Sequence, residues 1–175
     1  LPVGSFITET LSKEVPDIAR TLLESNVKDE ERHDLALSYV ADAHGLDDKA
    51  EREAKLLRDA WIAHPDHTIL KALVAERAVF FVILPFNRFC GDAALRTVSA
   101  DISRDEQIHV ACNSLVCADM GLRPSSSLDK LRKATINWIF EPLADIAPNK
   151  YLSRKFWTDS SDRLTYEGKA PQLAD

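Results

Sequence analysis

Glutamate and histidine stand three residues apart twice in this chain, as Glu30 with His33 and as Glu106 with His109. Each pair falls inside a long helical pattern. Three helical steps of about 100° leave a side chain about 60° from its starting direction, so each Glu and its His project from one face, a turn apart. One such pair is a weak signal in a chain with 28 acids and 5 histidines. Two pairs on separate long helices are a stronger one, because a fold that turns both faces inward gathers two carboxylates and two imidazoles.

The rest of the chain is suited to that kind of fold. Among 175 residues there are only 5 Gly and 8 Pro, which leaves few positions for tight turns. Patterns of period two are scarce, so a sheet has little support. A first long helix is predicted from Pro16 to about His44, closed by Gly45. A second, capped by Asp47 or Asp48, runs to about His64 and is amphipathic and peripheral. A third, capped by Asp66, runs from about His67 to Phe89. A fourth runs from about Ala93 to Met120, and a fifth from about Leu128 to Phe140, capped within Ser125 to Ser127. The expectation is an all-α chain with one helical domain over residues 1–157 and a polar, poorly ordered tail over 158–175.

Composition narrows the class further. A net charge of −6 argues against a nucleic-acid binder held by phosphate contacts. The longest apolar stretch, Ala78 to Phe86, is about half of what a membrane span requires, and the residues from Leu1 to Phe6 do not read as a signal peptide. Three cysteines, Cys90, Cys112 and Cys117, suit reduced thiols and a cytoplasmic setting. The first residue is Leu rather than Met, which leaves room for residues before it.

Glu76 is the third chemical element. It is the one acid in the stretch from Leu70 to Phe86, which is otherwise apolar apart from Lys71 and Arg77. A buried carboxylate without a partner costs several kcal/mol, roughly, and a metal ligand removes that cost. Glu and His ligands suit iron or manganese, and a bridging carboxylate brings two ions together. Helical bundles with two metals use a Glu-x-x-His from each of two helices and a single acid from each of two others. Both pairs and one single acid are present. Glu9 is the available upstream candidate for the second.

Each residue also has a plainer reading. Glu30 lies in the charged run Lys28 to Arg32, which could be a solvated face, and Glu76 could pair with Arg77 or with a neighbouring helix. Glu24 is turned to another face and reads as structural or surface. His44, His64 and His67 lie at helix ends, where capping is the plain role. Trp61, Trp138 and Trp157 read as packing residues.

The runs Ala75-Glu76-Arg77-Ala78-Val79-Phe80-Phe81, Phe86-Asn87-Arg88-Phe89 and Ser103-Arg104-Asp105-Glu106-Gln107-Ile108-His109 carry a resemblance. Together they resemble the small, radical-generating subunit of class I ribonucleotide reductase, over roughly residues 14 to 120. The resemblance implies a ferritin-like helical bundle with Glu30, His33, Glu76, Glu106 and His109 as ligands of two iron ions, or of manganese and iron. It implies Asp105 as the acceptor that fixes the ring of His33. It also implies oxygen activation for deoxyribonucleotide synthesis, a homodimer, and a large catalytic subunit as partner, with docking sought near Tyr166.

Pro85 should kink or loosen the third helix, and Phe80, Phe81 and Ile108 should form an apolar pocket around the metals. Three departures stand out. The position one turn after the first His, usually a tyrosine that stores the radical, is Leu37, and Tyr39 lies on another face. The first acidic ligand either precedes Leu1 or is replaced by Glu9. The chain is also about half the usual length. Oxidation of a small substrate, or iron binding without catalysis, are the alternatives that these departures raise.

Overall fold

A computed structural model describes residues 1–13, 15–170 and 173. Helices account for all of the regular structure among them apart from one isolated bridge, between Ala144 and Ser153. Helix α1 spans Val3–Leu11 and α2 Asp17–His44; α3 spans Asp48–Ala63 and α4 Thr68–Ala75. A wide π-helical turn over Glu76–Phe80 leads into α5, Phe81–Cys90. Then come α6, Ala93–Asp119, and α7, Ser126–Phe140; a short 3-10 turn at Lys150–Leu152 precedes α8, Arg154–Tyr166.

Local chemistry explains most of the boundaries. The Asp47 carboxylate accepts the Ala50 N–H at 2.8 Å, the Asp92 carboxylate accepts that of Leu95 at 2.9 Å, and the Ser125 hydroxyl accepts that of Leu128 at 3.2 Å. Gly45, at φ 77°, ends α2 where a side chain would be strained. Asp66 does not cap α4; the ring of His67 accepts the Ile69 N–H instead, and Asp66 accepts the Ser125 N–H at 2.8 Å, tying the start of α7 to the start of α4.

Four helical walls enclose the centre. Helix α1 packs on α2 and α4, α2 packs on α6, and α6 packs on α4 and α5. The presence of α1 is new relative to the sequence reading, which begins its helices at Pro16. It is short, yet Val3, Phe6, Ile7 and Thr10 are buried and its Thr10 hydroxyl meets that of Thr68 on α4 at 2.8 Å. Helix α3 is peripheral as expected, anchored by Trp61, whose indole N–H donates to Thr135 on α7 at 2.9 Å. Buried Lys71 on α4 donates to the Ile62 and His64 carbonyls, at 3.0 and 3.2 Å, and so caps the C-terminal end of α3.

Two expectations need correction. Residues from Thr158 onward do not begin a loose tail: α8 continues to Tyr166 and buries Trp157, Ser160, Ser161 and Leu164. Its charged residues mask that apolar face in composition, while a ring cluster of Trp157 with Phe86, Phe140 and Phe156 holds it in place. The third predicted helix does run through, from Thr68 to Cys90, but Pro85 is not where it is distorted. Its distortion lies at Glu76 itself, nine residues before Pro85, where the Phe81 N–H reaches the Glu76 carbonyl five residues back.

Candidate metal centre

Five side chains from three walls meet at the centre of the bundle. Glu30 and His33 come from α2, Glu76 from the first residue of the wide turn, and Glu106 and His109 from α6. All five are buried, and Glu76 and Glu106 have no exposed surface. The pairs share a face because each sits three apart on an unbroken α-helix.

The imidazoles point their Nδ1 atoms inward. His33 Nδ1 lies 3.3 Å from Glu106 Oε1 and 3.7 Å from Glu30 Oε1. His109 Nδ1 lies 3.4 Å from Glu30 Oε1, 3.6 Å from Glu106 Oε2 and 4.0 Å from Glu76 Oε1. Glu106 therefore presents one oxygen to each imidazole. The ring centroids of His33 and His109 are 5.8 Å apart.

The outward nitrogens are held crosswise. His33 Nε2 lies 3.0 Å from Asp105 on α6, and His109 Nε2 lies 3.0 Å from Asp29 on α2. Each helix thus supplies a Glu-His pair and the carboxylate that orients the other helix's histidine. Arg32 bonds to Asp29 and approaches Asp105 at 3.8 Å, spanning the two. With Nε2–H donated outward, each Nδ1 keeps a lone pair for a ligand inside.

The inner atoms have no hydrogen-bond partners of their own. Glu30 Oε1, His33 Nδ1, Glu76 Oε1, both Glu106 oxygens and His109 Nδ1 are buried without one. Buried polar groups are normally satisfied, so a cluster of such atoms facing a common point is suited to a shared cation or to shared protons. Glu30, Glu76, Glu106 and His109 each offer an atom within 4.8 Å of the others, and this group could hold a metal ion. The donor chemistry, carboxylate oxygen and imidazole nitrogen, fits that role.

Without an ion His33, His109 and Glu76 hold protons. Burial acts to lower the pKa of His33 and of His109, but the Glu106 and Glu30 carboxylates beside their inward nitrogens, with Asp105 and Asp29 respectively accepting outside, outweigh it and raise them to about 10 and about 11. Burial acts to raise the Glu30 carboxyl, yet the adjacent His109 and His33 rings bring it below its ordinary value. Glu76 is pushed well above the usual carboxylate range by burial and by the neighbouring Glu106 charge.

Several residues in the surroundings were not legible as functional. Asp29 belongs to the charged run that resembles a solvated face; the clue is that an Asp precedes the Glu in both motifs, giving Asp-Glu-x-x-His twice. Asn113 donates to Glu76 Oε2 at 2.7 Å and to Asn26 Oδ1 at 3.2 Å, and nothing in the spacing of either Asn announces this.

Other expected residues lie elsewhere. Glu9 is an exposed partner of Lys13 at 3.1 Å and does not reach the cluster. The α1 residue against Glu30 is Gly4, where an added Cβ would come 3.3 Å from the Glu30 Cβ. Ile108 is 63% exposed and lines no metal pocket, because it follows Glu106 by two residues and faces away. Phe80 and Phe81 are partly buried and pack against the core. Leu37 and Tyr39 are both exposed on α2. The Tyr166 hydroxyl donates to Asp129 at 2.5 Å, which ties the end of α8 to α7.

No family model, curated protein or solved structure matches the chain. Among the described residues, no helix is long and apolar enough to cross a membrane.

Proposed function

We propose that the chain is an oxygen-activating di-iron protein of ferritin-like architecture, or a manganese-iron one, acting as a ribonucleotide reductase small subunit does. The observation that carries this is the set of inward-facing, unpartnered atoms on Glu30, His33, Glu76, Glu106 and His109. Two features favour a pair of ions over one: the imidazoles come from different helices, and Glu106 offers a separate oxygen to each. Iron or manganese bound there would supply one-electron redox chemistry toward oxygen.

The protein's own groups do the rest. Asp105 and Asp29 accept the outward N–H of His33 and His109, which fixes ring orientation and raises ligand basicity. Asn113 holds one oxygen of Glu76 and leaves the other free. The apolar side chains of the core, among them Val79, Leu23 and Ala75, keep bulk water out. In the reductase role a large catalytic subunit would receive the oxidising equivalent.

A second reading has one specific observation behind it. A groove of about 500 Å³ between α1 and α2, lined by Gly4, Ser5, Thr8, Val27 and Asp34, has Glu30 as part of its wall. A hollow beside a ligand residue favours oxidation of a small polar molecule.

Anaerobic titration with ferrous iron tests the proposal. About two equivalents per chain are expected, with a near-ultraviolet band appearing once air is admitted. One equivalent or none would sink the di-iron reading. A radical signal in electron spin resonance supports the reductase role, and oxygen consumption stimulated by a small molecule supports the second.

A further inference from the structure

The wide turn at Glu76–Phe80 is held from outside the metal cluster. Ser161 on α8 is fully buried, and its hydroxyl donates to the Ala78 carbonyl at 2.6 Å. That hydroxyl in turn accepts from Arg132 Nη1 on α7 at 2.7 Å. Arg132 is 1% exposed and is fixed by Asp129, at 2.9 and 2.7 Å from its Nε and Nη2, and by Asp162 at 2.8 Å from Nη2. A buried guanidinium with its remaining donors committed is a rigid platform.

The neighbouring serine shows what this hydroxyl could have done instead. Ser160, also buried, donates to the Phe156 carbonyl four residues back at 2.6 Å, the usual local choice for serine in a helix. Ser161 spans 83 residues to reach a carbonyl in the segment that, among the described residues, has a widened hydrogen-bond pattern. Pro85, four residues after Phe81, has no N–H, so the helix that follows cannot supply its full set of donors to this turn.

We propose that Ser161 and Arg132 are positioning residues: they hold the wide turn open and thereby aim the Glu76 carboxylate into the cluster. Return to the ordinary pattern would take one residue out of the turn, about 100° of rotation, and would carry Glu76 away from Asn113. The effect on metal rests on the reading of Glu76 as a ligand; the effect on Glu76 itself does not.

Ser161→Ala is the test, with Ser160→Ala as the control that loses an equally buried hydroxyl with no link to the turn. Ferrous iron affinity should fall about tenfold or more in Ser161→Ala, the lower end for partners behind a ligand, and should be unchanged in Ser160→Ala. In the metal-free protein the side-chain amide resonances of Asn113, which report its bond to Glu76, should move in Ser161→Ala only. Equal losses in both variants, or an unmoved Asn113 amide with unchanged affinity, would overturn the proposal. If the wild type binds no iron, the metal reading falls and the Asn113 amide alone decides the positioning role. Should Ser161→Ala not fold, Arg132→Lys decides, since it keeps the charge beside Asp129 and Asp162 but loses the planar donor to Ser161; the same shifts are expected, and their absence counts against the proposal.

Discussion

His109 Nε2 lies 3.0 Å from Asp29, a residue 80 positions away, and this contact mirrors the 3.0 Å contact of His33 with Asp105. Each Asp-Glu-x-x-His segment orients the histidine of the other. Asp29→Asn and Asp105→Asn should therefore each weaken metal binding by about 10- to 100-fold. Titration with manganese or ferrous iron, followed by calorimetry, checks both. A loss in Asp105→Asn alone would show that the arrangement is not reciprocal.

Glu76 is fully buried, close to Glu106, and its carboxyl is pushed well above the ordinary range by burial first and then by that charge. Glu76→Gln keeps its shape, lets its amide oxygen accept from Asn113, and removes a carboxylate from a crowded site. In the presence of a chelator it should be as stable as the wild type or more so, by about 1–3 kcal/mol. With metal the order should reverse. Denaturant melts of both proteins, with and without metal, give the comparison.

The imidazole protons make metal uptake and stability depend on pH in opposite senses. His33 and His109 titrate at about 10 and about 11 in the folded, metal-free protein, against about 6.5 unfolded. Their raised values favour the folded state fully below about pH 6.5, and that contribution is lost as pH rises through 10 to 11. Raised Glu76 acts in the same direction. The melting temperature in chelator should fall from pH 6 to pH 10 on this account. Metal ligation displaces the Nδ1 protons, so affinity should rise over the same interval and binding at pH 7 should release protons into a weak buffer.

Trp157 is fully buried among Phe86, Phe140 and Phe156, although it stands at the start of a segment rich in charge. Trp157→Ala should cost about 3–5 kcal/mol, as for large aromatic truncations in a core. Chemical denaturation measures it. A change below about 1 kcal/mol would fit a loosely attached end and not the packed helix.

How far the sequence reached depended on the range of the interactions. The Glu-His spacing placed each pair on one helical face, and the lone acid in an apolar run marked Glu76 for a buried partner, because these are matters of local periodicity and desolvation. Helix ends at Gly45, Asp47 and Ser125 were legible for the same reason: caps act within one turn. The crossed bonds of Asp29 and Asp105 were half legible, with one Asp noticed through a resemblance and the other hidden in a run of charges.

Tertiary structure decided the rest. Which helix face meets which is set by packing of α1, α2, α4, α5 and α6, and only that packing brings Asn113 to Glu76 or leaves Glu9 in solvent. The wide turn sits at Glu76 rather than at Pro85, with an outside donor from Ser161 on α8. No local rule encodes a bond across 83 residues. Periodicity fixes the direction of a side chain relative to its own helix; the environment it enters depends on every other helix that packs against it.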